Sequence, residues 1–400
     1  MNLVVSLENR FERTPEGAVW TQSVFTRAFW DRYLEIFDSV RVVARLLERD
    51  SPTPGSIRSD GDKVSFADFP YYRGPAQYLK GRSSIRSAIQ KSIGPNDAVL
   101  LRLGSPIGGM VESVIRQSKR PFAAEVVGDP YDTFAPGATS HPGRPFFRWW
   151  FSRQLRNQCA RATAAAYVTE SALQKRYPTS RLAFTTNYSS IELPSEMIST
   201  NPRVVLSGQH RFELIMVGTL EQLYKAPDVL ISAVDRCVRS KLDVMLSIIG
   251  GGIYEAELRT LATDLGIEKH VRFLGHLPAG TSVIEQLDRA DMFVLPSRQE
   301  GLPRAMIEAM ARGLPCIGST VGGIPELLPP EDMVPPGDAV ALAQKIREVL
   351  GDPARMERMS VRNLAKAAEY RDDILRERRN EFYRALRTST QEWIDSRSAS

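Results

Sequence analysis

The sequence is poor in cysteine, in histidine and in long apolar runs, and each shortage excludes a class of protein. Its three cysteines, Cys159, Cys237 and Cys316, are odd in number and far apart. That fits buried free thiols in a reducing compartment and not a disulfide framework. Four histidines are present, and no Cys or His group has the spacing of metal ligands. Asp60-Gly61-Asp62 copies an Asp-x-Asp metal pattern, but it stands between Ser59 and Lys63 with no strand leading into it. It reads as a turn, and no metal site is expected. No apolar run reaches the roughly 18 residues that a membrane-spanning helix needs. The start, MNLVVSLENRF, brings an acid close behind a short apolar run and reads as a first strand, not a signal peptide. There is no internal repeat and no low-complexity segment.

What is present is ordinary globular material, with 42% apolar and 25% charged residues among 400. That suffices for two sizeable cores. The net charge of +5 is uneven: residues 1–200 carry +7 and residues 201–400 carry −2. The basic half is expected to face an acidic partner. Helix-turn-helix and RNP patterns are missing, so nucleic acid is not that partner.

Strand-like runs alternate with helical stretches along the chain. Residues 1–8, 40–44, 98–103, 122–127, 162–169 and 185–188 read as strands of a first domain, and residues 21–37 as an amphipathic helix carrying Phe25, Phe29, Trp30, Tyr33 and Phe37. Residues 189–210, with Pro194 and Pro202, read as a linker. The alternation then resumes at 214–218, 244–250, 271–275, 292–295 and 316–318. This is the pattern of two doubly wound parallel sheets. The expected domains are 1–200, 201–370 and a C-terminal helix in 371–400.

One stretch stands out, residues 297–328, SRQEGLPRAMIEAMARGLPCIGSTVGGIPELL. A buried strand, Met292-Phe293-Val294-Leu295, precedes it. Gly301-Leu302-Pro303 makes a tight turn, with Pro303 in the place of a first helical residue. A helix from Arg304 to about Arg312 is stopped by Gly313. Glu300 therefore lies on the loop and Glu308 inside the helix, flanking a helix N-terminus suited to phosphate. The amides of Gly301, Leu302 and Arg304 can point at an anion, and Glu308 can accept from both hydroxyls of a ribose diol.

These residues resemble the nucleotide-binding motif of retaining GT-B-fold glycosyltransferases of family 4, the glycosyl transferases group 1. The shared features are two glutamates with seven residues between, a Pro-containing strand, a Gly-Gly turn and Glu-Leu-Leu. The resemblance implies an α/β fold of two Rossmann-like domains facing across a cleft, the first binding the acceptor and the second the nucleotide sugar. The last helix, 370–388, would return to the first domain. It implies transfer of a sugar, of hexosyltransferase type, from a nucleotide-diphosphate donor to an acceptor hydroxyl, with retention and without metal or other cofactor.

Carried onto this chain, the resemblance makes Lys225 the cation on the leaving diphosphate and Glu300 the holder of a sugar hydroxyl. The donor side would comprise Gly218, Thr219, Lys225, Gly250, Gly251, Leu274, Glu300, Gly301, Leu302, Pro303, Arg304 and Glu308, with Gly17 approaching from the first domain. Thr219 stands where the family has an arginine, and Arg298 or Arg304 could supply the missing charge. No histidine stands near the end of the strand at 122–127, so Glu125 or Asp129 is the candidate on the acceptor side. Gly17 and Asp129 read equally well as parts of plain turns.

Two segments interleave basic and aromatic residues without any acid. One, between Asp132 and Glu170, holds Arg144, Arg148, Arg153, Arg156, Arg161 and Phe146, Phe147, Trp149, Trp150, Phe151. The other, between Asp68 and Asp97, holds Arg73, Lys80, Arg82, Arg86, Lys91 and Tyr71, Tyr72, Tyr78. They suit the inner face of the cytoplasmic membrane and a lipid-linked or glycan acceptor; equally, the aromatics can fill a core. The alternatives of other class are a GT-B epimerase or phosphorylase, and a Rossmann oxidoreductase using the weak Gly250-Gly251-Gly252 turn.

Overall fold

The apolar runs become strands of two parallel sheets in a computed structural model that describes residues 1–104, 106–134, 141–203, 211–278 and 280–398, without the side chains of residues 75 and 76. In chain order the first elements are β1 (Leu3–Arg13), β2 (Val19–Thr21), α1 (Asp31–Leu34), β3 (Val40–Glu48), β4 (Ile57–Arg58), β5 (Val64–Phe66), α2 (Gly74–Ser92), β6 (Ala98–Leu103), α3 (Pro106–Ile115), β7 (Ala123–Val126), α4 (Pro130–Thr133), α5 (Arg144–Arg161), β8 (Ala164–Tyr167), α6 (Ala172–Arg176) and β9 (Phe184–Asn187). There follow β10 (Phe212–Val217), α7 (Pro227–Arg239), β11 (Val244–Ile249), α8 (Glu255–Asp264), β12 (Val271–Gly275), α9 (Thr281–Arg289), β13 (Met292–Leu295), α10 (Arg304–Ala311), β14 (Cys316–Ser319), α11 (Ile324–Leu327), β15 (Met333–Val334), α12 (Ala339–Leu350), α13 (Pro353–Ala368) and α14 (Asp372–Ser398).

The chain divides into two compact units. The first comprises Met1–Pro130, Trp149–Tyr188 and the chain from Arg376 on; the second comprises Tyr131–Arg148 and Ser189–Leu375. The change of unit falls at Tyr188, ahead of the expected boundary at residue 200. Part of the expected linker, 204–210, lies outside the described residues.

In the first unit β1 lies between β3 and β6, and the parallel order β5-β3-β1-β6-β7-β8-β9 reverses direction at β1. The middle strands are buried along their whole length; β6 and β7 have no exposed residue. Near-continuous apolar runs of this kind belong to strands covered on both faces. One face packs against Ile85 and Ile89 of α2, Ile107 and Val111 of α3 and Leu155 and Cys159 of α5.

The expected helix over 21–37 does not form. β1 runs on to Arg13 and turns back antiparallel into β2, pairing Glu12 with Trp20 and Arg13 with Val19. Thr21 and Ser23 then exchange hydroxyl and backbone hydrogen bonds, which compete with a helix. Only a short 3-10 turn, Arg27–Trp30, and the four-residue α1 follow. The aromatic periodicity marked a real cluster: Phe29, Trp30, Tyr33 and Phe37 are all buried, and Tyr383 of α14 lies 5.0 Å from Tyr33, ring centre to ring centre.

The second unit holds the sheet β12-β11-β10-β13-β14-β15, parallel throughout, with the order reversing between β10 and β13. Loops beyond the carboxyl ends at such a reversal form the crevice where open α/β sheets bind ligands. The segments after β10 and β13 are the two that the sequence singled out.

Candidate donor site

The loops after β10, β11 and β12 are laced together by their backbones. Gly218 N donates to Ile249 O at 2.9 Å, Leu220 N to Gly251 O at 2.9 Å and Gly250 N to Gly275 O at 2.8 Å. The approach is too close for side chains: a Cβ on Gly250 would stand 1.8 Å from Gly218 O, and its φ is +135°. Gly250 thus braces the loop carrying Gly218 and Thr219, and Leu274 sits partly buried at the end of β12. The α8 helix behind this turn has Glu255 and Glu257 in its first turn.

After β10, Lys225 closes a 3-10 turn, Leu223–Lys225, and Ala226 in the left-handed region leads into α7. The Lys225 stem lies across Gly218, so that a Cβ there would meet its Cγ at 3.1 Å. Its Nζ reaches Glu300 Oε1 at 2.5 Å, and the Ser297 hydroxyl donates to the same oxygen at 2.7 Å. Lys225 and Glu300 are therefore brought together from the two strand ends, as the sequence pattern requires of a shared site. Ser297, which no sequence argument nominated, completes the pair; its place two residues beyond the end of β13 was the available signal.

Of the two arginines that could replace the missing family cation, the structure separates them. Arg298 grips Asp228 with two nitrogens at 2.8 and 2.6 Å, bonds Leu223 O at 3.0 Å, and its backbone N bonds Tyr224 O at 2.7 Å. The bond to Asp228 raises the Arg298 pKa. Arg298 is a clamp that holds the Lys225 loop in place, and its charge is spent on Asp228. Arg304 is exposed and makes no ion pair among the described residues. Burial raises the pKa of both Tyr224 and Glu308, and the Arg304 charge acts in the opposite sense on each. Lys225 Nζ lies 5.5 Å from the Tyr224 ring centre, so the two cations border the same aromatic.

Pro303 caps α10 from outside instead of opening it: its φ and ψ are −75° and 104°, and its carbonyl accepts from Met306 N and Ile307 N at 3.1 and 3.3 Å. The helix begins at Arg304, as the sequence indicated. The amides of Gly301, Leu302 and Arg304 donate to none of the described residues. Gly323 N bonds Gly301 O at 2.6 Å. A Cβ on Gly322, whose φ is +55°, would stand 2.0 Å from Glu300 O. The Gly-Gly turn is thus the support that presses the Glu300 loop into shape.

Glu308 lies in the second turn of α10, largely buried, and its carboxylate has no hydrogen bond or ion pair among the described residues. Burial pushes its pKa above the ordinary value. Its oxygens are not among the buried unpartnered atoms, so a partly buried carboxylate that solvent still reaches, beside unpaired amides, is equipped to receive hydroxyls.

Three nominated residues belong to the first unit. Gly17 sits in the β1–β2 hairpin turn at φ +85°, where its N bonds Thr14 O at 2.8 Å and a Cβ would meet nothing within 4 Å. A left-handed turn is all that its geometry demands. Glu125 is not an open carboxylate. It is 5% exposed, ion-paired to Arg102 at 2.7 Å and bonded by the Tyr188 hydroxyl at 2.7 Å. Burial pulls the Arg102 pKa down, but the Glu125 charge together with Tyr33 and Tyr188 raises it on balance. Asp129, 7% exposed, is held by Arg176 and the Tyr177 hydroxyl. Strand-end position suggested both carboxylates, and neither is free to meet an acceptor. Asp60 likewise serves a turn, accepting from Val19 N at 2.9 Å.

The two basic-aromatic segments diverge. In the one containing α2, Tyr72 is buried and Tyr78 packs on the core, while Arg73, Lys80, Arg82, Arg86 and Lys91 make no ion pair among the described residues. In α5, Trp149 and Trp150 are 56% and 50% exposed and Phe146 56%, with Arg153 near Trp149. No helix among the described residues is long and apolar enough to cross a membrane, and none of their His, Cys, Asp or Glu side chains group as a metal site.

A family model described as glycosyl transferases group 1 matches residues 198–366. Protein CapJ of Staphylococcus aureus is 25% identical over 351 residues, covering 83% of this chain and 83% of that protein. A GDP-mannose-dependent monoacylated alpha-(1-6)-phosphatidylinositol monomannoside mannosyltransferase of Corynebacterium glutamicum is 37% identical over 164 residues, 38% of this chain and 42% of that protein. Among solved structures, sucrose-phosphate synthase from Thermosynechococcus elongatus superposes with a TM-score of 0.69 at 18% identity, covering 96% of this chain and 99% of that one.

Proposed function

From the premise that the chain belongs to the glycosyl transferases group 1 and has their GT-B fold, we propose that it moves a sugar from a nucleoside-diphosphate sugar to an acceptor hydroxyl with retention at the anomeric carbon. That it is a glycosyltransferase follows from the family; donor class, stereochemistry and site roles are our reading. The observation that carries it is Glu308, an unpartnered, largely buried carboxylate one turn inside a helix whose first amides are free. It holds the ribose diol. The amides of Gly301, Leu302 and Arg304 hold the diphosphate, and Gly250, Gly251 and Leu274 border the donor.

Charge accumulates on the diphosphate as the sugar departs. Lys225 and the fixed amides stabilise it without reorganising, and Arg304 is the second cation in place of the family arginine at Thr219. Glu300, steadied by Ser297, accepts from a hydroxyl of the sugar. The chain needs no metal for this step in our reading. A panel of UDP-, GDP- and ADP-sugars assayed for hydrolysis and thermal shift tests the donor class. One nucleotide should raise the melting temperature and its sugar should be hydrolysed. No response to any of them would remove the donor reading.

The exposed tryptophans of α5 favour a lipid-linked acceptor in polysaccharide or glycolipid synthesis, reached at the inner, anionic face of the cytoplasmic membrane. Tryptophan and arginine together suit the headgroup region, each basic residue adding about 1 kcal/mol on anionic lipid. The mannosyltransferase relative is named for a phosphatidylinositol acceptor. The protein should sediment with anionic vesicles at low salt, release at high salt, and lose binding when Trp149 and Trp150 become Ser. Failure to sediment with anionic vesicles would leave a soluble acceptor.

A further inference from the structure

With Glu125 and Asp129 sealed, the first unit still owes the reaction a group that meets the acceptor. The sheet of that unit reverses order between β1 and β6, and ligands bind beyond the strand ends at such a reversal. β1 pairs with β6 only through Ser6, opposite Leu101. Its register with β3 then slips between Ser6 and Arg10, so residues 7–9 bulge at this point. Bulges re-aim side chains and favour active sites. Glu8 stands in the bulge.

Its surroundings form a built site. The Arg45 guanidinium ion-pairs with Glu8 and lies 5.3 Å over the Tyr72 ring. The Ile107 backbone N–H, in the first turn of α3, also stabilises the carboxylate. Beneath them, Arg45 Nε and the Tyr72 hydroxyl are buried without a hydrogen-bond partner, and Tyr72 is 8% exposed. An orphaned polar group of this kind in a native structure calls for a ligand or water. The Glu8 side chain is 29% exposed, against 6% for Glu125. A carboxylate has about four lone-pair sites, and Arg45 takes one, so acceptor capacity remains on this part-exposed side chain. Burial raises the Glu8 pKa in spite of Arg45.

We propose that Glu8, positioned by Arg45 and the start of α3, is the acceptor-binding carboxylate of this transferase and accepts a hydrogen bond from a hydroxyl of a neutral sugar. A neutral sugar fits because an anionic group beside Glu8 would repel it. The assignment rests on the glycosyltransferase reading above.

The test uses the full chain, the nucleotide sugar that it hydrolyses in radiolabelled form, and three acceptors: octyl glucoside, octyl galactoside and octyl mannoside. Wild type should label at least one of them. Glu8→Gln should cut kcat/KM for that acceptor about tenfold or more, the scale of one lost hydrogen bond to a charged group, and leave the Kd of the nucleoside diphosphate unchanged. Glu8→Asp, which keeps the charge and the Arg45 pair, should lose less; it also carries the test if circular dichroism shows that Glu8→Gln does not fold. The assignment is overturned by an unchanged acceptor kcat/KM, by an equal loss of nucleotide affinity, or by wild type labelling no octyl glycoside. Absence of any nucleotide-sugar hydrolysis by wild type would instead overturn the transferase reading, and this assignment with it.

Discussion

Two glutamates, each joined to a cation near the carboxyl end of a parallel strand, meet opposite fates in the two units. Glu125 lies inside β7 and pairs with Arg102 inside β6. Tyr33, Tyr188, Phe25 and Phe29 close around them; the Arg102 guanidinium lies 5.4 and 5.5 Å from the two phenylalanine rings. Glu300 comes five residues after β13 ends, on a loop shaped by Gly322, and its partner Lys225 comes from the loop after β10. The first pair is walled in by aromatics and can only hold the fold. The second is as deeply buried, the Glu300 side chain being 6% exposed like that of Glu125, but it forms where the strands have ended, beside backbone amides that donate to none of the described residues. The difference is one of a few residues along the chain, which separates a pair inside the sheet from a pair among the loops of the candidate site.

The contrast can be broken at either end, and the larger effect should be on stability in the first unit. Arg102→Ala strands the Glu125 carboxylate in the core. It should cost about 3–5 kcal/mol of unfolding free energy, the range for orphaning one member of a buried pair, read as a lower urea midpoint. An unchanged midpoint would mean that the Arg102–Glu125 pair is not sealed.

Lys225→Ala removes the corresponding cation of the second unit. Stability should fall less, because the Ser297 hydroxyl still donates to Glu300. Turnover should fall by about two to three orders of magnitude, as when a group stabilising transition-state charge is removed, with nucleoside affinity nearly unchanged. A loss confined to KM would sharpen the comparison differently, making Lys225 a ground-state contact.

The sequence reading succeeded where local chemistry decides. Around α10, the run of β13, Pro303, Gly301 and Gly313 fixes strand, turn, helix start and helix stop within a short span, so the placing of Glu300 on the loop and Glu308 in the helix was legible. The first unit depends on distant partners. The ring cluster of Phe25, Phe29, Trp30 and Tyr33 has helical spacing, yet it is assembled from a hairpin, a 3-10 turn and α1, and finished by Tyr383 from the other end of the chain. No window of sequence reveals that. The α2 and α5 segments have the same mix of rings and cations, but Tyr72 and Tyr78 fall on the phase that faces the sheet, while Trp149 and Trp150 fall outside it. Glu8 was hidden because a single acid in an apolar strand looks like its end, whereas β1 bulges there and continues to Arg13.

The most direct test of the central claim, that the loops after β10 and β13 bind the donor nucleotide, is calorimetric titration of UDP, GDP and ADP into wild type and into folded Glu308→Ala. We expect one nucleotide to bind wild type and to lose about 2–4 kcal/mol of binding free energy in the variant, since bonds to charged groups are worth roughly 1.5–3 kcal/mol each and do not add fully. Equal affinity for wild type and variant would contradict the account.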